Sequence, residues 1–109
     1  MKEVSVQSWP GGEPPTEARL RRIMNEEGLE PYRWSNAAGD IYNAHTHAYH
    51  KVIYVVQGSI TFGLPDRGQQ VTLHAGDRLN LPAGIAHDAM VGPRGVVCLE
   101  GHREVTDDA

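Results

Sequence analysis

From Tyr32 to His102 the chain is a series of short segments in which apolar residues alternate with polar ones or gather in brief runs. Glycine, proline or aspartate closes each segment. The pattern predicts strands over 32–36, 40–49, 51–57, 59–64, 69–74, 78–81, 86–91 and 95–102. The turns fall at Gly58, Leu64-Pro65-Asp66-Arg67-Gly68, Ala75-Gly76-Asp77, Pro82-Ala83-Gly84 and Gly92-Pro93-Arg94-Gly95. Short strands at regular spacing predict an all-β sandwich or barrel, and closure would remove exposed sheet edges. Ile53, Val55, Ile60 and Phe62 are the expected core.

Upstream the period changes. Leu20, Ile23, Met24 and Glu27 share one helical face, Thr16 is a candidate N-cap, and Glu17 suits the positive end of the helix dipole. Gly28 stands where a left-handed C-cap is expected and Leu29 supplies its hydrophobic contact, which predicts a helix over about 17–27. With no partner helix and turn, it is not a helix-turn-helix. Residues 1–15 read as an arm, with Val4, Val6 and Trp9 alternating with polar residues before Pro10-Gly11-Gly12-Glu13-Pro14-Pro15 breaks regular structure. The expected organisation is an arm over 1–15 and one domain over 16–109, with its barrel at about 32–102. The arm's apolar residues have little to cover them in a lone domain, which predicts a homodimer.

Composition narrows the partners. The formal net charge of -4, with Arg19, Arg21 and Arg22 interleaved by Glu17, Glu26 and Glu27, offers no basic stripe for nucleic acid. Cys98 is the single cysteine and lies in an apolar run, so it reads as a small buried hydrophobe and no intrachain disulfide can form. The start of the chain lacks a signal-peptide pattern, and nowhere do about eighteen apolar residues run together. The expectation is a cytoplasmic, soluble protein without a membrane partner.

The six histidines carry the chemistry. His45 and His47 are two apart on a predicted strand, a spacing that puts both imidazoles on one face. His87 follows the Pro82-Ala83-Gly84 turn, where another strand begins. Imidazole is the commonest transition-metal ligand, and two ligands from one strand plus one from another suit a three-coordinate facial site.

These residues also fall into a known frame. Gly39, His45, Thr46, His47, position 51 and Gly58 stand at the spacings of the first cupin motif, and Gly76, Pro82, Gly84 and His87 at those of the second. The chain resembles the cupin superfamily over about residues 39 to 91. The resemblance implies a double-stranded β-helix (jelly-roll) barrel with one short N-terminal helix. It also implies that His45, His47 and His87 hold one divalent transition metal, whether iron, manganese, nickel or zinc.

The resemblance fails at two positions. The asparagine that often closes the second motif is Val91, which is not a ligand position. The glutamate ligand of the first motif is Lys51, and a protonated ammonium has no lone pair to give a cation. Three resolutions stand: a three-histidine site; His50 swinging in as a fourth ligand, against strand alternation; or a pocket without metal in which Lys51 binds or serves as an acid–base group. Tyr49 shares the His45 and His47 face. Glu100 and His102 read as a solvated strand face, with Glu100 a distant candidate carboxylate, and His74 reads as exposed. Two functions follow. One is a metal-dependent enzyme of oxygenase, isomerase or decarboxylase type acting on a small, anionic organic molecule, with Lys51 as candidate catalytic residue. The other is a non-catalytic, metal-free module that binds a sugar or carboxylate through Lys51 and the histidines.

Overall fold

The computed structural model describes residues 3–105; the outer ends of the arm and of the barrel domain, residues 1–2 and 106–109, lie outside the described residues. In chain order the elements are β1 (Ser5–Gln7), α1 (Glu17–Glu26), β2 (Tyr32–Asn36), β3 (Ile41–His45), β4 (His50–Leu64), a 3₁₀ turn (Pro65–Arg67), β5 (Gln69–His74), β6 (Arg78–Leu81) and β7 (His87–Arg103). One antiparallel sheet runs β1-β6-β4-β7-β2, with β3 also pairing β7 and β5 also pairing β4. Its spine is the long β4–β7 ladder, from His50 opposite Arg103 to Gly63 opposite Asp88. The sheet curls around this ladder into the jelly-roll barrel. Among the described residues no helix is long and apolar enough to cross a membrane.

Two expected turns are bends inside single strands. Residues 51–57 and 59–64 form β4, and 86–91 and 95–102 form β7. Gly58 (φ 82°) and Gly95 (φ 78°) lie side by side across the ladder, and a Cβ on Gly58 would sit 2.0 Å from the Gly95 carbonyl oxygen. The register slips on both sides of Gly58, so the glycine marks a bulge that bends the strand without ending it. Turns and bulges draw on the same positive-φ chemistry, and glycine alone does not tell them apart.

Strand β4 is apolar on both faces because both are covered. Ile53, Val55, Ile60 and Phe62 point into the barrel, as expected, with Leu73, Leu79, Val91 and Cys98. Val52 and Tyr54 point outward, where Leu20 and Met24 of α1 and Leu29 seal them. Each fully buried side chain of this kind contributes about 1.5–3 kcal/mol. The helix begins as expected, the Thr16 hydroxyl accepting from the Arg19 amide at 3.2 Å, and it ends at Gly28 with φ 77°. Burial pushes the Cys98 thiol up to about 12, in keeping with an inert core residue.

The arm returns to its own barrel. β1 extends the sheet beside β6, Val4 packs on the core, and Trp9 lies over Gly76 with its amide donating to Asp77 at 3.1 Å. The Arg19 guanidinium covers the Trp9 ring at 5.2 Å. The burial argument for a homodimer therefore loses Val4 and Trp9, which the chain's own barrel and helix cover, and keeps only Val6, which stays 40% exposed. Beneath this junction Arg78 is buried. It donates to both Glu27 carboxylate oxygens at 2.5 and 2.8 Å and to Asn80 at 2.8 Å, tying α1 to β6.

Candidate metal centre

The barrel mouth gathers His45, His47 and His87 by two routes. His45, the last residue of β3, is the ladder partner of His87, the first residue of β7. The strand expected over 40–49 ends at His45, so His47 lies in an irregular segment, yet its ring stays 4.7 Å from that of His45 and 5.3 Å from that of His87. Gly84, at φ 80°, donates its amide to the His47 carbonyl at 2.9 Å, clamping the second motif's turn to the first. His50 completes the clamp. It points away from the cavity, as alternation predicts, and its buried Nδ1 accepts from the Ala83 amide at 3.0 Å.

The donor chemistry fits a cation. One ring nitrogen from each of the three histidines lies within 4.8 Å of the others; neither His50 nor Glu100 belongs to this group. His45 Nδ1 faces the Asn43 carbonyl at 2.7 Å and His87 Nδ1 faces the Ile85 carbonyl at 2.9 Å. A carbonyl only accepts, so both Nδ1 atoms must be protonated, which leaves Nε2 as the lone-pair nitrogen of each neutral ring. A carbonyl accepting from Nδ1–H holds the ring in place and turns its Nε2 toward a metal. The Nε2 atoms of His47 and His87 are buried and have no hydrogen-bond partner, a state that is costly unless something occupies the point they face. Burial, and then the Lys51 charge, push His47 down to about 4; burial likewise lowers His87. Both rings are therefore neutral at ordinary pH, as ligation requires.

Below the histidines lies a cavity of about 350 Å³. Its floor is Ile53, Ile60, Phe62 and Ala89; Lys51, Glu100, Tyr32, Trp34, Tyr42 and Tyr49 form the walls. Lys51 faces the cavity, as its place in the alternation predicts. Glu100 does not lie on a solvated face: it is 4% exposed, and its Oε2 sits 3.5 Å from Lys51 Nζ. The charge that replaces the family's glutamate is thus matched by a carboxylate from the neighbouring strand. Tyr32 donates to the same Oε2 at 2.5 Å, His102 at 2.6 Å, and Trp34 to Oε1 at 3.2 Å. Burial alone would raise the Glu100 carboxyl, but the Tyr32 and His102 hydrogen bonds and the Lys51 charge outweigh it and hold it below the usual range. His102 is part-exposed and lies against the Tyr49 ring, and His74 is exposed as expected. Tyr32 and Trp34 were not candidates. β2 brings them in by pairing with β7, where Tyr32 stands opposite Glu100. The one hint in the sequence is an acidic residue at the end of the apolar run from Val96 to Leu99.

Comparison with known proteins agrees with this fold. The cupin domain family model matches residues 32–99, more than half of the chain. The chain belongs to the cupin family. Similar solved structures include an RmlC-like cupin from Shewanella frigidimarina, at 25% identity and TM-score 0.60, covering 73% of this chain and 69% of that one. KdgF from Halomonas sp. is similar at 26% identity and TM-score 0.58, covering 73% and 72%. The DMSP lyase DddQ from Ruegeria pomeroyi matches at 23% identity and TM-score 0.63, over 74% of this chain but 41% of its own. No curated protein matches the chain.

Proposed function

We propose that the protein is a small metal-dependent cupin. In this reading His45, His47 and His87 hold one divalent transition metal through their Nε2 atoms, and Lys51 holds a small organic anion in the cavity beside it. The observation that carries the reading is the pair of buried, partnerless Nε2 atoms on His47 and His87. A sealed core would not leave two imidazole nitrogens unmet. The metal, when bound, supplies Lewis-acid polarisation or activates oxygen. The chain's own residues fix the tautomers of His45 and His87, keep His47 neutral, place an ammonium in the cavity, and exclude bulk water with the floor of Ile53, Ile60 and Phe62. The site supports this reading; the fold alone does not choose a reaction.

Elemental analysis of protein purified without a histidine tag tests it. One equivalent of metal is expected in the parent, or after reconstitution with zinc, iron or manganese. His45→Ala and His87→Ala should lose that stoichiometric metal, and His45→Ala, at the open rim, should keep the parent's cooperative unfolding. Full occupancy in both variants would show that the ligands are elsewhere. A parent that takes up no metal from any of the three ions leaves the metal-free binding module as the surviving reading.

A further inference from the structure

The cavity walls are rich in hydroxyl and N–H groups, but most are already engaged. Tyr32 O–H and Trp34 N–H are spent on Glu100, and the Tyr42 hydroxyl is spent on Asn36. Glu100 is surrounded by donors, with three contacts on Oε2 and one on Oε1. Its acceptor capacity is largely consumed. Lys51 is different. At 3.5 Å its contact with Glu100 is longer than the charge-assisted N–H···O hydrogen bond of about 2.7–2.9 Å. The ammonium is thus held in the cavity with donors to spare. Apart from Lys51 and the histidines, the Tyr49 hydroxyl is the wall group left to read a ligand among the described residues, and its ring lies between those of His47 and His102.

We infer that the cavity selects a monocarboxylate carried on a compact apolar body and rejects polyhydroxylated acids of the same size. This rests on the proposed binding of a small anion at Lys51 and goes further, in naming what the rest of that anion looks like. The carboxylate meets Lys51, and the apolar body lies on Ile53, Ile60, Phe62 and Ala89. A sugar acid would bury several hydroxyls against walls whose Tyr32, Trp34 and Tyr42 donors are already spent, so that few protons beyond those of Lys51 and Tyr49 remain to serve them. Each hydroxyl left unpaired weakens binding by about tenfold or more. Glu100 is the residue that sets this preference, because it ties up the donors of Tyr32 and Trp34 that would otherwise read hydroxyls.

Three compounds built on one six-membered ring test the inference: cyclohexanecarboxylate, its neutral isostere cyclohexanecarboxamide, and glucuronate. Each is titrated into zinc-loaded and into chelator-treated protein at millimolar concentrations. The NMR shift of the Trp34 indole N–H, inside the cavity, reports binding; Trp9, held on the outside of the barrel by Glu13, is the internal control. Cyclohexanecarboxylate should bind at least about tenfold tighter than either competitor, and Lys51→Met should weaken it about ten- to hundredfold. The parent comparison stands by itself if that variant fails to fold. Glucuronate or the carboxamide binding as tightly as cyclohexanecarboxylate overturns the inference, as does unchanged affinity in Lys51→Met or no Trp34 shift with any compound. Failure of the metal reading shows separately, as an absence of zinc uptake while the selectivity is still read in the chelator-treated protein.

Discussion

Replacing Glu100 with glutamine keeps the shape of the side chain and removes the charge that balances Lys51. All four neighbours of the Glu100 carboxylate are donors, so the new amide NH2 must face at least one of them. The two short bonds from Tyr32 and His102 lose their charge assistance, at about 1 kcal/mol each. Lys51 is left as an unpaired cation with its side chain only 12% exposed, opposite a partner 5% exposed. At 3.5 Å and an effective dielectric near 20 the lost attraction is about 5 kcal/mol before solvation is counted. Desolvation of the pair offsets part of this, and breaking a buried pair from one side typically costs about 3–5 kcal/mol. Glu100→Gln should therefore destabilise the metal-free protein by about 3–5 kcal/mol, a large share of the about 5–15 kcal/mol a small domain possesses. Lys51→Met, which fills the same space without charge, should cost less, and adding it to Glu100→Gln should restore about 2 kcal/mol or more. Urea unfolding of the four proteins in the presence of a chelator, followed by circular dichroism, gives the coupling directly. If Glu100→Gln lies within about 1 kcal/mol of the parent, or the two changes add to within about 0.5 kcal/mol, the pair is not what holds Lys51 in the cavity.

Exchanging the pair, Lys51→Glu with Glu100→Gln, puts a carboxylate where the family carries a ligand and removes a cation from beside the histidines; zinc affinity measured by chelator competition should rise about tenfold or more, and no rise would mean that residue 51 does not reach the metal. Glu27 is held below the usual carboxylate range by the Arg78 hydrogen bonds, so its contribution is fully present above about pH 4.5 and is lost as pH falls through its folded pKa. Glu27→Gln should cost about 1–2 kcal/mol at pH 7, discounted for its part-exposed side chain, and the gap from the parent should shrink in denaturant titrations as pH falls from about 5 to 3; a gap constant with pH would show that the ion pair is not its source. Gly58→Ala meets a carbonyl oxygen at 2.0 Å in a left-handed backbone and should cost about 3 kcal/mol or more, while Gly28→Ala, equally left-handed but with nothing within 4 Å, should cost about 1–2 kcal/mol; equal midpoint shifts in urea would remove the steric argument.

Local patterns carried a large part of this protein. A helix from Glu17 with Thr16 as its cap, the barrel residues Ile53, Val55, Ile60 and Phe62, and the cavity-facing place of Lys51 all follow from periods of 3.6 and 2, which backbone geometry imposes on any chain. His45, His47 and His87 could be singled out because spacing and turn chemistry bracket them, and the fold does bring the three rings together. Other features depended on which strands become neighbours. Gly58 and Gly95 look like turns until β4 and β7 pair along their length, when they become bulges in continuous strands. Glu100 looks solvated until β2 covers β7 and β4 sets Lys51 beside it. Trp9 looks uncovered until β1 docks on β6. In each case the residue's environment is made by segments tens of positions away, and strand pairing, rather than local periodicity, decides which of them arrives.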